Sequence, residues 1–277
     1  MKFSPKRLIL AAAVMAYTTH AASAAFTFTN GDLILGFQAT GGSGSTQNVF
    51  YNLGSPIAYR DGTNPGGIIG NISTTLSNVY GANWYTRTDL YFGVIGNLNA
   101  NPNSGIGNKA AVDGDPSRTF YLSLAAASPA SASLYAANAY SSSQLGSAGT
   151  TLGGLETNLP GFTTETDGAA ILSQSTQPVE WNNSWTVRNP TPGAAFGVFT
   201  GGIQQNFGKA GSSTYVDLQR VLSTNTGASP TGVIGGGTYV TTFGIGSDGS
   251  ISAIPETSTT LLGALGVLTL LRRRRRA

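Results

Sequence analysis

Between residues 25 and 253 the chain never runs far before a turn interrupts it. Short alternating or apolar stretches are separated by glycine, serine and asparagine clusters and by Asn-Gly or Asp-Gly pairs such as Asn30-Gly31 and Asp248-Gly249. Such punctuation suits short strands joined by tight turns. With 38 glycines and only 10% charged residues, solubility must come from hydroxyls and amides. The expected fold is mainly β: an antiparallel β-sandwich or jelly-roll-like body with one or two short helices. About 230 residues suffice to bury a core without disulfides, and the chain has no cysteine.

Within that body the pattern predicts individual elements. Alternation on either side of Asn30-Gly31 predicts a hairpin over 25–37, since this dipeptide tolerates positive φ in a two-residue turn. A loop over 41–45 leads to a strand at 49–53, and Asn64-Pro65-Gly66-Gly67 reads as a turn. Ile72, Leu76, Val79 and Tyr80 fall at helical spacing, with Asn71 or Ser73 as the cap and Gly81 as the stop. Strands follow at 87–95 and 118–124. The Ala- and Ser-rich stretch 125–151 is a weak helix or a surface segment, with Leu134, Tyr135, Ala139 and Leu145 as its apolar positions. Another strand is expected at 196–199. Val216, Leu218, Val221 and Leu222 suggest a strand or a helical turn. A hairpin pairing 238–245 with 250–253 closes the body.

Both ends differ from this body. At the start, Lys2, Lys6 and Arg7 precede an apolar run over 8–17, and Ala22-Ser23-Ala24 supplies the small residues that signal peptidase reads, so 1–24 is expected to be a secretory signal peptide cleaved after Ala24, with cleavage after Ala25 as the next choice. At the end, the run 261–271 carries no charge and is followed by Arg272, Arg273, Arg274, Arg275 and Arg276. Five consecutive arginines cannot enter a protein core without partners. Eleven helical residues reach about 16 Å against a hydrocarbon core of roughly 30 Å. Extension back to Thr257 and snorkelling arginine stems give about 20 to 25 Å, a short transmembrane helix with its basic end in the cytoplasm. Removing both ends leaves seven basic and eleven acidic residues, net −4, although the whole chain carries +3. The positive excess belongs to the ends, so no nucleic-acid surface is expected.

In order and spacing, Pro255-Glu256-Thr257, the apolar run and the terminal arginine cluster resemble the PEP-CTERM sorting signal, with Thr257 in place of that motif's second proline. The resemblance covers 254–277. It implies export in a Gram-negative bacterium, transient anchoring in the inner membrane and processing near the motif by exosortase, often beside exopolysaccharide production. Two stretches of the body, 31–37 and 80–89 with its Tyr80-Gly81-Ala82-Asn83-Trp84 and Arg87-Thr88-Asp89, are similar to uncharacterised bodies that precede this signal. The expected domains are therefore 1–24, a secreted β-rich domain at 25–253, and the sorting signal at 254–277. Signal peptidase, an exosortase-like enzyme, the membrane and exopolysaccharide are the expected partners.

The body is poor in catalytic chemistry. His20, Met1 and Met15 all lie in the signal peptide, so histidine-dependent triads and His or Cys zinc sites are excluded from the mature chain. Lys109 and Lys209 stand in no Ser-x-x-Lys motif, and Gly105-Ile106-Gly107-Asn108-Lys109 lacks the frame of a phosphate loop. Asp113-Gly114-Asp115 could offer oxygens to calcium but lacks the remaining acids of an EF-type loop. The expectation is a non-enzymatic, structural or adhesive protein of the envelope or biofilm matrix, with no cofactor. The alternative is a carbohydrate-binding module or a glycoside hydrolase. Trp181 and Trp185 would be its sugar platforms, and Glu156, Glu165, Asp167 and Glu180 its carboxylates.

Overall fold

A computed structural model describes residues 25–64, 66–97, 115, 118–135, 140–192, 195–196, 199–208, 213–222 and 237–255. The stretch 1–24, expected to be a signal peptide, and the apolar, arginine-ended tail lie outside these residues. In chain order the elements are β1 (Leu33–Ala39), β2 (Gln47–Gly54), α1 (Pro56–Arg60), β3 (Gly67–Asn71), α2 (Ser73–Tyr80) and β4 (Leu90–Asn97). Next come β5 (Phe120–Ala126), α3 (Ser142–Asn158), β6 (Ala170–Ser173), α4 (Pro178–Trp181) and α5 (Trp185–Arg188). The last are β7 (Ala195–Phe196), β8 (Phe199–Gly202), β9 (Gln204–Asn206), β10 (Ser213–Val221), β11 (Gly237–Gly246) and β12 (Ser250–Pro255).

The fold is mainly β, as expected. Ten strands join in one antiparallel sheet ordered β3-β12-β11-β10-β5-β4-β1-β2-β6, with β9 added beside β4. β7 and β8 form a separate small pair. β1 lies at the heart of the sheet and every one of its residues is buried. Leu33, Leu35 and Phe37 face one core while Ile34 faces another, as the two-residue period of a strand requires. The hairpin expected over 25–37 does not form. Asn30-Gly31 does turn the chain, with Gly31 at φ 102°, but β2 and β4 already occupy both edges of β1. Phe26 instead donates its N–H to the Phe162 carbonyl and enters the second core.

Apolar side chains from both ends of the sheet path meet in the first core. Phe37, Phe92 and Phe207 stack at ring separations of 5.0–6.3 Å, and Leu76, Tyr80 and Trp84 come from α2 and the turn after it. Val216, Leu218, Phe243 and Ile251 complete it from β10 to β12, so the sheet is curled around this interior. Where its ends approach, the Tyr51 hydroxyl of β2 donates to the Ile69 carbonyl of β3. Arg87 pins the rim. Its guanidinium donates to the carbonyls of Gly41, Ser43 and Tyr80 and pairs with Asp89, tying the β1–β2 loop to α2 and β4. Those bonds hold Asp89 below the usual carboxylate range.

The second core lies on the other face of the sheet, under α3. This 17-residue helix is longer than the sequence suggested, and five helices stand among the described residues rather than one or two. Ser141 accepts from the Gln144 N–H while the Gln144 side chain accepts from the Ser141 N–H, a reciprocal cap on the first turn. Leu145, Ala148, Leu152, Leu155 and Leu159 then recur at three- and four-residue spacing and bury against Ile34, Phe50, Ile95, Phe120 and Leu122. The four leucines contribute roughly 2 kcal/mol each. Four helical glycines cost about 1 kcal/mol each, so packing decides the outcome.

The helix expected over 72–80 is α2, stopped by Gly81 at φ 94°. Its first turn is satisfied by Asn71, which accepts from the Ser73 N–H, and by Asp167, which accepts from both the N–H and the hydroxyl of Thr75. The closing hairpin also forms as expected. Gly249 supplies φ 76°, Asp248 accepts from Ser250, and β12 runs on to Pro255. The strand expected at 196–199 is instead split between β7 and β8, which pair with each other.

Candidate functional site

The four carboxylates nominated by the sequence do not share one cleft. Glu165 is exposed in the turn before β6, and Asp167 is committed to the first turn of α2. Glu180 is half-buried on α4 and lines a shallow cleft of about 200 Å³ with Thr157, Asn158, Gly161, Phe162 and Gln177. Glu156, in the last turn of α3, is only 6% exposed.

The tryptophan pair is corrected by its burial. Asn182, Asn183 and Ser184 break the chain between α4 and α5, and Ser184 caps α5 by accepting from the Val187 N–H. Asn48 of β2 then fixes α5 by donating to the Thr186 hydroxyl and accepting from its N–H. Trp181 and Trp185 are 6% and 2% exposed. A sugar platform needs an open aromatic face, whereas these indoles fill the second core and Trp185 lies flat on Gly36 of β1. Asp115 is engaged by the protein itself. Its carboxylate pairs with Arg60 at 2.9 Å and accepts from Arg220 and Tyr121 at 2.5 and 2.7 Å, so two guanidinium groups stand where a calcium ion would have to bind. Lys109, Lys209 and Asp113 lie outside the described residues.

Glu156 remains. Its cleft, about 180 Å³, is lined by Phe28, Asn30, Gly153, Glu156, Thr157 and Pro160. Gly153 stands one turn before Glu156 on α3. Oε1 of Glu156 is buried without a hydrogen-bond partner. Burial pushes its carboxyl up to about 8, and no neighbouring charge opposes that rise. At neutral pH it is therefore mainly a neutral acid, able both to donate and to accept. Perturbed, unsatisfied groups of this kind concentrate at functional sites.

The motif expected to direct sorting starts at the last described residue of β12. Pro255, the last residue of β12, lies opposite Thr241, is exposed, and has its ring against Gly66. Glu256, Thr257 and Arg272–Arg276 lie outside the described residues, as do Ala22 and Ala24. Ala25 is exposed and bridged to Thr163. No helix among the described residues is long and apolar enough to cross a membrane, and no cluster of three or more acids there could hold a metal ion. The chain matched no protein-family model, and searches among curated proteins and solved structures returned no match.

Proposed function

We propose that the chain is an exported envelope or extracellular-matrix protein, delivered by its C-terminal signal and processed by an exosortase-type enzyme, with a structural or adhesive and non-catalytic role. The observation that carries this reading is the position of Pro255. β12, the last strand among the described residues, runs to Pro255, so cleavage beside Glu256 and Thr257 would leave every described strand in the body. Ala25 supports the same reading from the other end. It is exposed and directly precedes Phe26, the first buried side chain among the described residues, so cleavage after Ala24 would leave the described core intact. The single curled antiparallel sheet around the first core is a body built without disulfides, which suits a structural role. Deletion of Arg272–Arg276 tests the proposal. Processing or surface release should change, and an unchanged mass and location would contradict it.

Glycan binding is the second reading, and the Glu156 cleft favours it over the tryptophan pair. Hydrolysis is less well served. It needs two carboxyl groups across one sugar, and Glu156 and Glu180 line separate, adjoining clefts that share only Thr157.

A further inference from the structure

We propose that the Glu156 cleft binds a single neutral sugar residue, with the carboxyl group of Glu156 at its base hydrogen-bonded to a ring hydroxyl. This deepens the adhesive reading by naming the chemical class of its partner. The two fail separately, because sugar binding in solution does not depend on export.

Three features select the ligand. The first is size: at roughly 30 Å³ per water, about 180 Å³ holds about six waters, the room of one sugar ring and not of an extended chain. The second is wall chemistry. Half-buried Phe28 and exposed Pro160 offer apolar surface to the C–H face of a ring, and exposed Asn30 adds an amide at the rim. The third is the unpartnered Oε1, held in place by the packing of Leu155 and Leu159 on either side of it in sequence. The neutral acid, the form burial favours, can both donate to a sugar hydroxyl and accept from one, whereas the carboxylate can only accept and is disfavoured at this buried position.

A cation fits less well. No second acid lines the cleft, and the carboxyl is kept mainly neutral by burial, whereas a cation site would favour its charged form. None of Phe28, Asn30, Gly153, Thr157 and Pro160 titrates, and the other nearby acid, Glu180 of α4, lines the adjoining cleft. The pH dependence of binding therefore reports Glu156.

Calorimetric titration of the full chain, in a detergent without a sugar headgroup, tests this with glucose, galactose, mannose, N-acetylglucosamine and methylammonium as probes. At least one sugar should bind at pH 7, and its affinity should fall about tenfold by pH 9 as Glu156 loses its proton. Glu156→Gln should bind that sugar as the parent does at pH 7 and show no fall at pH 9. Glu156→Leu, checked for folding by circular dichroism, should not bind. Three results would overturn the proposal: no sugar binding at pH 7, methylammonium binding that strengthens as pH rises, or a pH dependence that survives in Glu156→Gln.

Discussion

Glu156→Gln makes a demanding test of the fold as well as of the site. In the unfolded chain a glutamate titrates near 4.5, whereas burial under α3 holds Glu156 at about 8. Between those values the folded protein keeps a proton that the unfolded chain has lost, so stability falls as pH rises. The slope is roughly 1.4 kcal/mol per pH unit. Across the window the loss approaches about 5 kcal/mol, complete above the folded value and absent below the unfolded one. Glutamine keeps the shape and the hydrogen-bonding character of the neutral acid without its titration. Parent and variant should therefore melt together near pH 4.5 and diverge by pH 8.5, with the variant higher by on the order of 10 °C for a chain of this length. Circular dichroism melts at the two pH values read this directly. A Tm difference that is the same at both would refute the buried, unpartnered carboxyl, and so would a variant less stable than the parent at pH 8.5.

Two further substitutions probe the packing. A Cβ at Gly36 would stand 2.6 Å from Cε3 of Trp185, inside a core with no open side, so Gly36→Ala should cost about 1 to 3 kcal/mol in urea unfolding. A smaller second side chain in Trp185→Phe should recover part of that loss. Asp115→Asn removes the negative partner of Arg60 and Arg220 and should cost about 3 kcal/mol, while calcium leaves the parent's melting temperature unchanged.

Elements set by local chemistry were legible in the sequence. α2 carries its apolar spacing and its Gly81 stop within ten residues, and the β11–β12 hairpin carries its turn in Asp248-Gly249. Pairing partners were not legible, because they are distant. Phe120 of β5 lies beside Val221 of β10, and Asp167 caps a helix that begins at Ser73. The signals for α3 were present in Ser141 and Gln144 and in the leucine spacing, but four glycines and many serines concealed them. The four-residue spacing of the two tryptophans left sugar platforms open as an alternative. The turn at Asn182-Asn183-Ser184 instead lets two separate short helices bury both. Nothing local separates Glu156 from Glu165. Their fates differ because one sits on the flank of a packed helix and the other in an open turn. The cleft could be found only from the fold.

The central claim concerns delivery, and the intact mass of the protein recovered from the cell surface or medium measures it most directly. The account predicts a chain that begins at Ala25, ends close to Pro255-Glu256-Thr257, and changes in processing when Arg272–Arg276 are deleted. A full-length mass that retains 1–24 and 258–277, and that the deletion leaves where it was, would contradict it.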